Sequence, residues 1–237
     1  MRQWVGSILF TLLLFGSVPV YGAVALLTAP LPLRYTYAIA VAWVDSRFWL
    51  LRVLCRLDYV VEGREHLPAR SSIVLLKHSS ARETLAQLKI FPRQTWVLKR
   101  ELMWAPVFGW VLALLKPIAI DRRGGSAAVQ QVLDQGRDRL AAGFWVMIFP
   151  EGTRMPAGQT RRYGMSGVLL AQAEGLPVVP VTHNAGYFWP RRGWLKKPGT
   201  IRVVIGPPID TKSVDPRTVN ERAQQWIEGT LSKLVKS

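Results

Sequence analysis

Residues 3–33 carry no charged side chain, and that stretch constrains the fold more than any other feature of the chain. It exceeds the roughly 20 apolar residues that a helix needs to cross a bilayer. Arg2 in front of it and the small pair Gly22-Ala23 within it would also suit a cleaved secretory signal. The apolar text continues past that pair, through Ala25-Leu26-Leu27 to Leu33, which favours a retained anchor. Pro19 lacks an N–H and crowds the preceding turn, so a bend or break is expected mid-run. One span and two short membrane-dipping helices both fit. Residues 35–54 form a second, amphipathic stretch that mixes Trp43, Phe48, Trp49 and Leu50 with Asp45, Arg47 and Arg52. That mixture suits a helix lying in the membrane interface.

The rest of the chain is basic. There are 31 Lys and Arg against 15 Asp and Glu, and Arg2 is the only charge before Arg34. Nearly all of the net +16 therefore lies on residues 34–237, which calls for a polyanionic partner. An anionic phospholipid membrane fits best, because ten Trp accompany the charge and interfaces favour that residue. No nucleic-acid partner is expected, since the basic residues are scattered among apolar segments instead of clustering with aromatics. Cys55 stands alone, which excludes an internal disulfide and a Cys-rich zinc site.

Beyond residue 58, short apolar runs alternate with helical patterns. Strands are expected at 72–76, 95–98, 117–120, 144–149, 178–181 and 201–205. Helices are expected at 82–88, 106–114, 126–141, 166–174 and 217–235. The alternation predicts an α/β domain, a mostly parallel sheet covered by helices, at 58–237. The hydrophobic membrane anchor and interfacial helices occupy 1–57. In such domains the chemistry gathers in loops after the carboxyl ends of strands.

Three histidines are present. His66 lies in the charged turn Glu62-Gly63-Arg64-Glu65-His66, where a solvated role is expected. His183 follows a strand and is placed to line a site. His78 also follows an apolar strand, after Lys77, and Glu83 comes five residues later at the start of a helix. A carboxylate there can fix the imidazole tautomer while the other ring nitrogen takes a proton from a hydroxyl. Two more strand ends carry chemistry. Phe149-Pro150-Glu151-Gly152-Thr153-Arg154 combines a turn-forming glycine, a hydroxyl and a guanidinium fork suited to phosphate. Asp121-Arg122-Arg123-Gly124-Gly125 is the other, and two arginine-bearing loops suggest one phosphate held between them. Phosphate-loop and dinucleotide fingerprints are absent, as are a Gly-x-Ser-x-Gly elbow and any metal-binding pattern.

Together these blocks resemble the glycerolipid acyltransferase family, most closely its bacterial 1-acyl-sn-glycerol-3-phosphate acyltransferases. His78-Ser79-Ser80-Ala81-Arg82-Glu83 is similar to the family's His-x4-Asp motif, with Glu for Asp. Lys99-Arg100-Glu101-Leu102 through Asp121-Arg122 resembles the second motif, Phe149 to Arg154 the third, and Pro177-Val178-Val179-Pro180-Val181 the fourth. The resemblance implies that His78 is a general base oriented by Glu83. It implies that Arg122, Glu151, Gly152, Thr153 and Arg154, with Lys99, form the acceptor's phosphate and glycerol seat. The implied substrates are lysophosphatidic acid and an acyl thioester, acyl-CoA or acyl carrier protein, with no cofactor, metal or covalent intermediate. The implied location is a bacterial inner membrane, with the domain on the cytoplasmic face by the positive-inside tendency. Two alternatives stay open: an acyltransferase for another lysolipid such as lyso-ornithine lipid, and a non-catalytic basic membrane-binding protein.

Overall fold

The fold is that of a computed structural model, which describes residues 1–236. Two helices open the chain, α1 (Arg2–Leu27) and α2 (Leu33–Cys55), joined by a turn into an antiparallel hairpin. Pro19 lies inside the continuous 26-residue α1, so the break the sequence allowed does not occur. Neighbouring polar groups bond around it: Ser17 Oγ donates to the Leu14 carbonyl at 2.8 Å and receives Trp43 Nε1 of α2 at 2.9 Å. The helix survives because its partner packs along it and only the one proline bond is lost.

The remainder alternates: β1 (Leu57–Glu62), β2 (Ile73–Leu76), α3 (Arg82–Ile90), β3 (Gln94–Lys99), α4 (Phe108–Leu114), β4 (Ile118–Ile120), α5 (Ser126–Ala141), β5 (Trp145–Ile148), α6 (Ser166–Ala173), β6 (Val178–His183), α7 (Ala185–Phe188), β7 (Gly199–Ile205) and α8 (Pro216–Lys236). One seven-stranded sheet results, in the order β1-β7-β6-β2-β5-β3-β4. Among the described residues every pairing of these strands is parallel except that of β6 with β7. The central strand β2, Ile73-Val74-Leu75-Leu76, is buried on both faces, as its unbroken apolar run requires in a parallel sheet.

Alternation along the strands divides the core into two layers. Val74, Leu76, Met147, Val179 and Val181 face Phe10, Leu14, Val44, Phe48 and Leu51 of the hairpin. Ile73, Leu75, Val146, Ile148 and Val178 face α5, α6 and α8. On α8 the buried residues Val219, Ala223, Ile227 and Leu231 recur every fourth position, the period of one helix face. Burying each of the Val, Ile and Leu side chains among these contributes ~1.5–3 kcal/mol. The hairpin is thus one of the two layers covering the sheet.

Polar links reinforce this. Gln3 Nε2 donates to the Cys55 carbonyl at 2.9 Å, and the Lys196 amide donates to Ser7 Oγ at 2.9 Å. The Lys196 ammonium, buried against α1, reaches Thr11 Oγ1. Arg82, at the start of α3, is 1% exposed and lies between the rings of Phe48 at 4.6 Å and Tyr59 at 4.4 Å. Burial pulls its guanidinium down to about 10.

Candidate active site

The carboxyl ends of β2 and β5 set the site. His78 leaves β2 and its Nδ1 lies 2.9 Å from Glu83 Oε1. The same oxygen accepts the amides of Ser79 at 3.0 Å and Ser80 at 2.8 Å. Glu83 therefore folds back over the N-terminus of its own helix, where amide donors and the helix dipole favour an anion. That is how the longer side chain serves where aspartate is usual. Burial raises the Glu83 carboxyl, but His78, His183 and the Ser80 amide more than offset it and hold it below its ordinary value. An ionised Glu83 must receive the imidazole proton on Nδ1, which leaves Nε2 unprotonated. The ring stacks on Phe149 with centroids 3.9 Å apart.

The His78 backbone is gripped as well. Its N–H donates to Glu151 Oε2 at 2.8 Å, and its carbonyl accepts the Met155 amide at 2.7 Å. The other Glu151 oxygen takes the Lys77 ammonium at 2.7 Å, with both side chains fully buried. Glu151 thus lies beneath His78, not on the wall of a substrate seat, because Lys77 on the buried strand draws the carboxylate inward. Breaking such a buried pair by removing one partner costs ~3–5 kcal/mol. His183 is also interior, at 1% exposure. Its Nε2 donates to the Lys77 carbonyl at 2.9 Å while Nδ1 receives the Ala185 amide at 3.2 Å, so it is neutral and supports the turn from behind. His66 Nδ1 contacts the Ile205 carbonyl at 2.8 Å, remote from this turn.

Beside His78 opens a cavity of about 430 Å³. His78, Arg122, Arg154 and Phe149 line its polar end. From there it runs between the hairpin (Val18, Tyr21, Gly22, Ala25, Ile39, Ala40, Trp43), α3, β3 and α4, and is otherwise almost wholly apolar. Its volume falls in the ~300–1,000 Å³ range of small-molecule sites. Arg154 is tied to the His78–Glu83 turn by Nε donating to the Ser80 carbonyl at 2.9 Å. Arg122 Nη1 donates to the Gly152 carbonyl, which the left-handed Gly152 (φ +67°) presents. The two loops expected to share one phosphate do meet at this mouth. Thr153 stands between Gly152 and Arg154 outside the cavity lining, and Lys99 pairs with Glu101 at 2.9 Å, also outside it. Neither the hairpin wall nor the Lys77–Glu151 pair follows from the sequence pattern. A lysine closing an otherwise apolar strand is the signal that could have flagged the second.

Burial is the chief influence lowering His78, with Arg154 and Arg122 adding to it against the upward pull of Glu83. The net direction is below 6.5. A base with a lowered pKa stays neutral as pH falls through the ordinary imidazole range. We expect the acid limb of kcat/KM to have its midpoint below 6.5, the ordinary imidazole value. An acid limb with a midpoint above 6.5 in the free enzyme would contradict this environment.

Residues 58–184 match the model of the Acyltransferase family. The chain belongs to that family. Among family members, a 1-acyl-sn-glycerol-3-phosphate acyltransferase of Pseudomonas aeruginosa is 44% identical, over 98% of this chain and 92% of its own. A Cocos nucifera protein of the same name is 28% identical over 68% of this chain and 52% of its own. In structure, the 1-acyl-sn-glycerophosphate acyltransferase of Thermotoga maritima superimposes with a TM-score of 0.82 at 23% identity, covering 100% of this chain and 97% of that one. The acyltransferase fold therefore includes the N-terminal hairpin here.

Proposed function

We infer that the protein transfers an acyl group from a thioester to the sn-2 hydroxyl of 1-acyl-sn-glycerol-3-phosphate, giving phosphatidic acid. The observation that carries this reading is one cavity that joins His78 and two arginines at its mouth to an apolar interior. A lysophospholipid with its phosphate on Arg122 and Arg154 brings its hydroxyl to the imidazole. His78 Nε2 takes the hydroxyl proton as the oxygen attacks the thioester carbonyl. The thiolate leaves and recovers that proton from the imidazolium, whose charge Glu83 offsets. Similarity to the Pseudomonas aeruginosa protein across nearly both full lengths favours this acceptor over another lysolipid.

Support for a membrane setting lies on the outer face of the hairpin. Trp4, Ile8, Leu12 and Phe15 of α1 and Trp49 of α2 are exposed, as are Trp104, Phe108 and Trp110 close to the cavity. The helix α1 is long and apolar enough to cross a membrane, with mean hydropathy 2.0. Its inner face, however, is packed on the protein from Gly6 to Ala25. Crossing the bilayer would drag the basic domain into hydrocarbon, so the hairpin lies in one leaflet and the cavity opens towards lipid. On the positive-inside tendency that leaflet is the cytoplasmic one of a bacterial inner membrane.

The test is to supply purified protein in anionic vesicles with lysophosphatidic acid and either acyl-CoA or acyl carrier protein thioester. Phosphatidic acid from at least one donor is expected; none from either would overturn the reading. The cavity wall gives a sharper check. Ala40→Phe shortens the apolar space, and three excluded methylenes at about 0.8 kcal/mol each lower kcat/KM for a long-chain donor ~50-fold. A short-chain donor should change little.

A further inference from the structure

We propose that Glu228, on α8 and beyond the stretch that matches the family model, is a positioning residue for His78, acting through Lys77 and Glu151. The proposal rests on the reading of His78 as the base. The connection is a continuous series of short contacts. Glu228 Oε1 lies 2.7 Å from Lys77 Nζ, on the side of the ammonium not taken by Glu151. Lys77 Nζ also donates to the Gln159 carbonyl at 2.9 Å, so all three of its donors are engaged. Glu151 then holds the His78 N–H through its other oxygen.

Glu228 is itself fixed. The same oxygen receives Thr160 Oγ1 at 2.8 Å and the Tyr163 hydroxyl at 2.7 Å. Burial, followed by the Glu228 charge, pushes the Tyr163 phenol up, so it stays a neutral donor. Its hydroxyl thus secures the carboxylate, and the 159–163 segment is tied to the same point. Lys77, buried next to the base in sequence, has two counter-charges, and one comes from the far end of the chain. Without Glu228 the ammonium keeps only Glu151 and a carbonyl, and it must draw Glu151 or re-seat. Either movement shifts the His78 N–H, and with it the ring stacked on Phe149. A displacement of about 1 Å in a reacting group can cost ~10²-fold in rate.

The test compares Glu228→Ala, Lys77→Met, the double variant and His78→Ala in one phosphatidic acid assay, each corrected for folded fraction by thermal melting. Glu228→Ala is expected to lower kcat at least ~10-fold, on the ~10²-fold scale of a misplaced group. KM for lysophosphatidic acid should stay within about twofold, because Glu228 bonds to Lys77, Thr160 and Tyr163 and to neither arginine of the seat. The double variant should be no slower than the slower single, as for residues acting as one unit. A wild-type kcat per folded Glu228→Ala enzyme, a change confined to KM, or multiplicative losses in the double variant would each overturn the proposal. If Glu228→Ala does not fold, Glu228→Gln is read instead: lowered kcat with unchanged KM supports the role, and a wild-type kcat overturns it. His78→Ala separates the two levels. Full activity there refutes the base itself, whereas an inactive His78→Ala beside a wild-type Glu228→Ala refutes only the positioning.

Discussion

Replacing His78 with alanine is expected to lower kcat for phosphatidic acid formation by about 10²–10⁴-fold, the usual contribution of a positioned general base. The expectation follows from three observations. Glu83 accepts the Nδ1 proton while two backbone amides stabilise its charge, which fixes Nε2 as the acceptor. The ring lines the cavity and is stacked on Phe149, so it is held in one orientation. Its environment keeps it neutral at physiological pH. The substitution removes a partly buried ring and leaves the backbone bonds of residue 78 to Glu151 and Met155 available. Vesicle binding and secondary structure should therefore persist. Retained acyl transfer would refute His78 as the base. Lost transfer with retained vesicle binding would support it.

The second large effect concerns the acceptor. Arg122→Ala should lower kcat/KM for lysophosphatidic acid by about 10–150-fold, the equivalent of a charge-assisted hydrogen bond worth ~1.5–3 kcal/mol. For a phosphate-free lysolipid the same variant should change kcat/KM by less than about threefold, because no phosphate contact is lost. Arg154 is the less clean probe. Its Nε supports the Ser80 carbonyl within the catalytic turn, so its removal disturbs the base as well as the seat. Among the described residues Arg122 bonds only to the Gly152 carbonyl across the mouth, and steady-state kinetics on the two acceptors reads its phosphate contact separately. Equal losses on both acceptors would show that Arg122 shapes the loop and not the ligand.

Much of this arrangement is legible in the sequence, and the reasons for the rest are physical. The apolar runs at β2, β5 and β6 have no other stable fate than buried parallel strands, and the structure places them within a residue or two of expectation. The edge strand β1, Leu57-Asp58-Tyr59-Val60-Val61-Glu62, has no clear signature in the sequence, because five of its six residues are partly or fully exposed. It exists by pairing with β7, more than a hundred residues away, and no local pattern announces that partner. The hairpin's apolar length was plain. Its second role as a core layer and cavity wall was not, since membrane-facing and protein-facing apolar residues look alike in a sequence. At the site, the spacing of His78 and Glu83 pointed to their pairing through a turn. The inward direction of Glu151 depends on a lysine at the end of a different strand, and spacing within one motif carries no information about that.

Because His78 and the two arginines share one cavity, the site should acylate a phosphate-bearing lysolipid in preference to a phosphate-free one. Internal competition tests it most directly. Wild-type protein is given one acyl thioester and equal amounts of lysophosphatidic acid and lyso-ornithine lipid in the same vesicles, with both products resolved by mass. Losing the phosphate contacts of Arg122 and Arg154 at ~1.5–3 kcal/mol each predicts phosphatidic acid in at least ~100-fold excess. Equal products, or an excess of acylated ornithine lipid, would contradict the account.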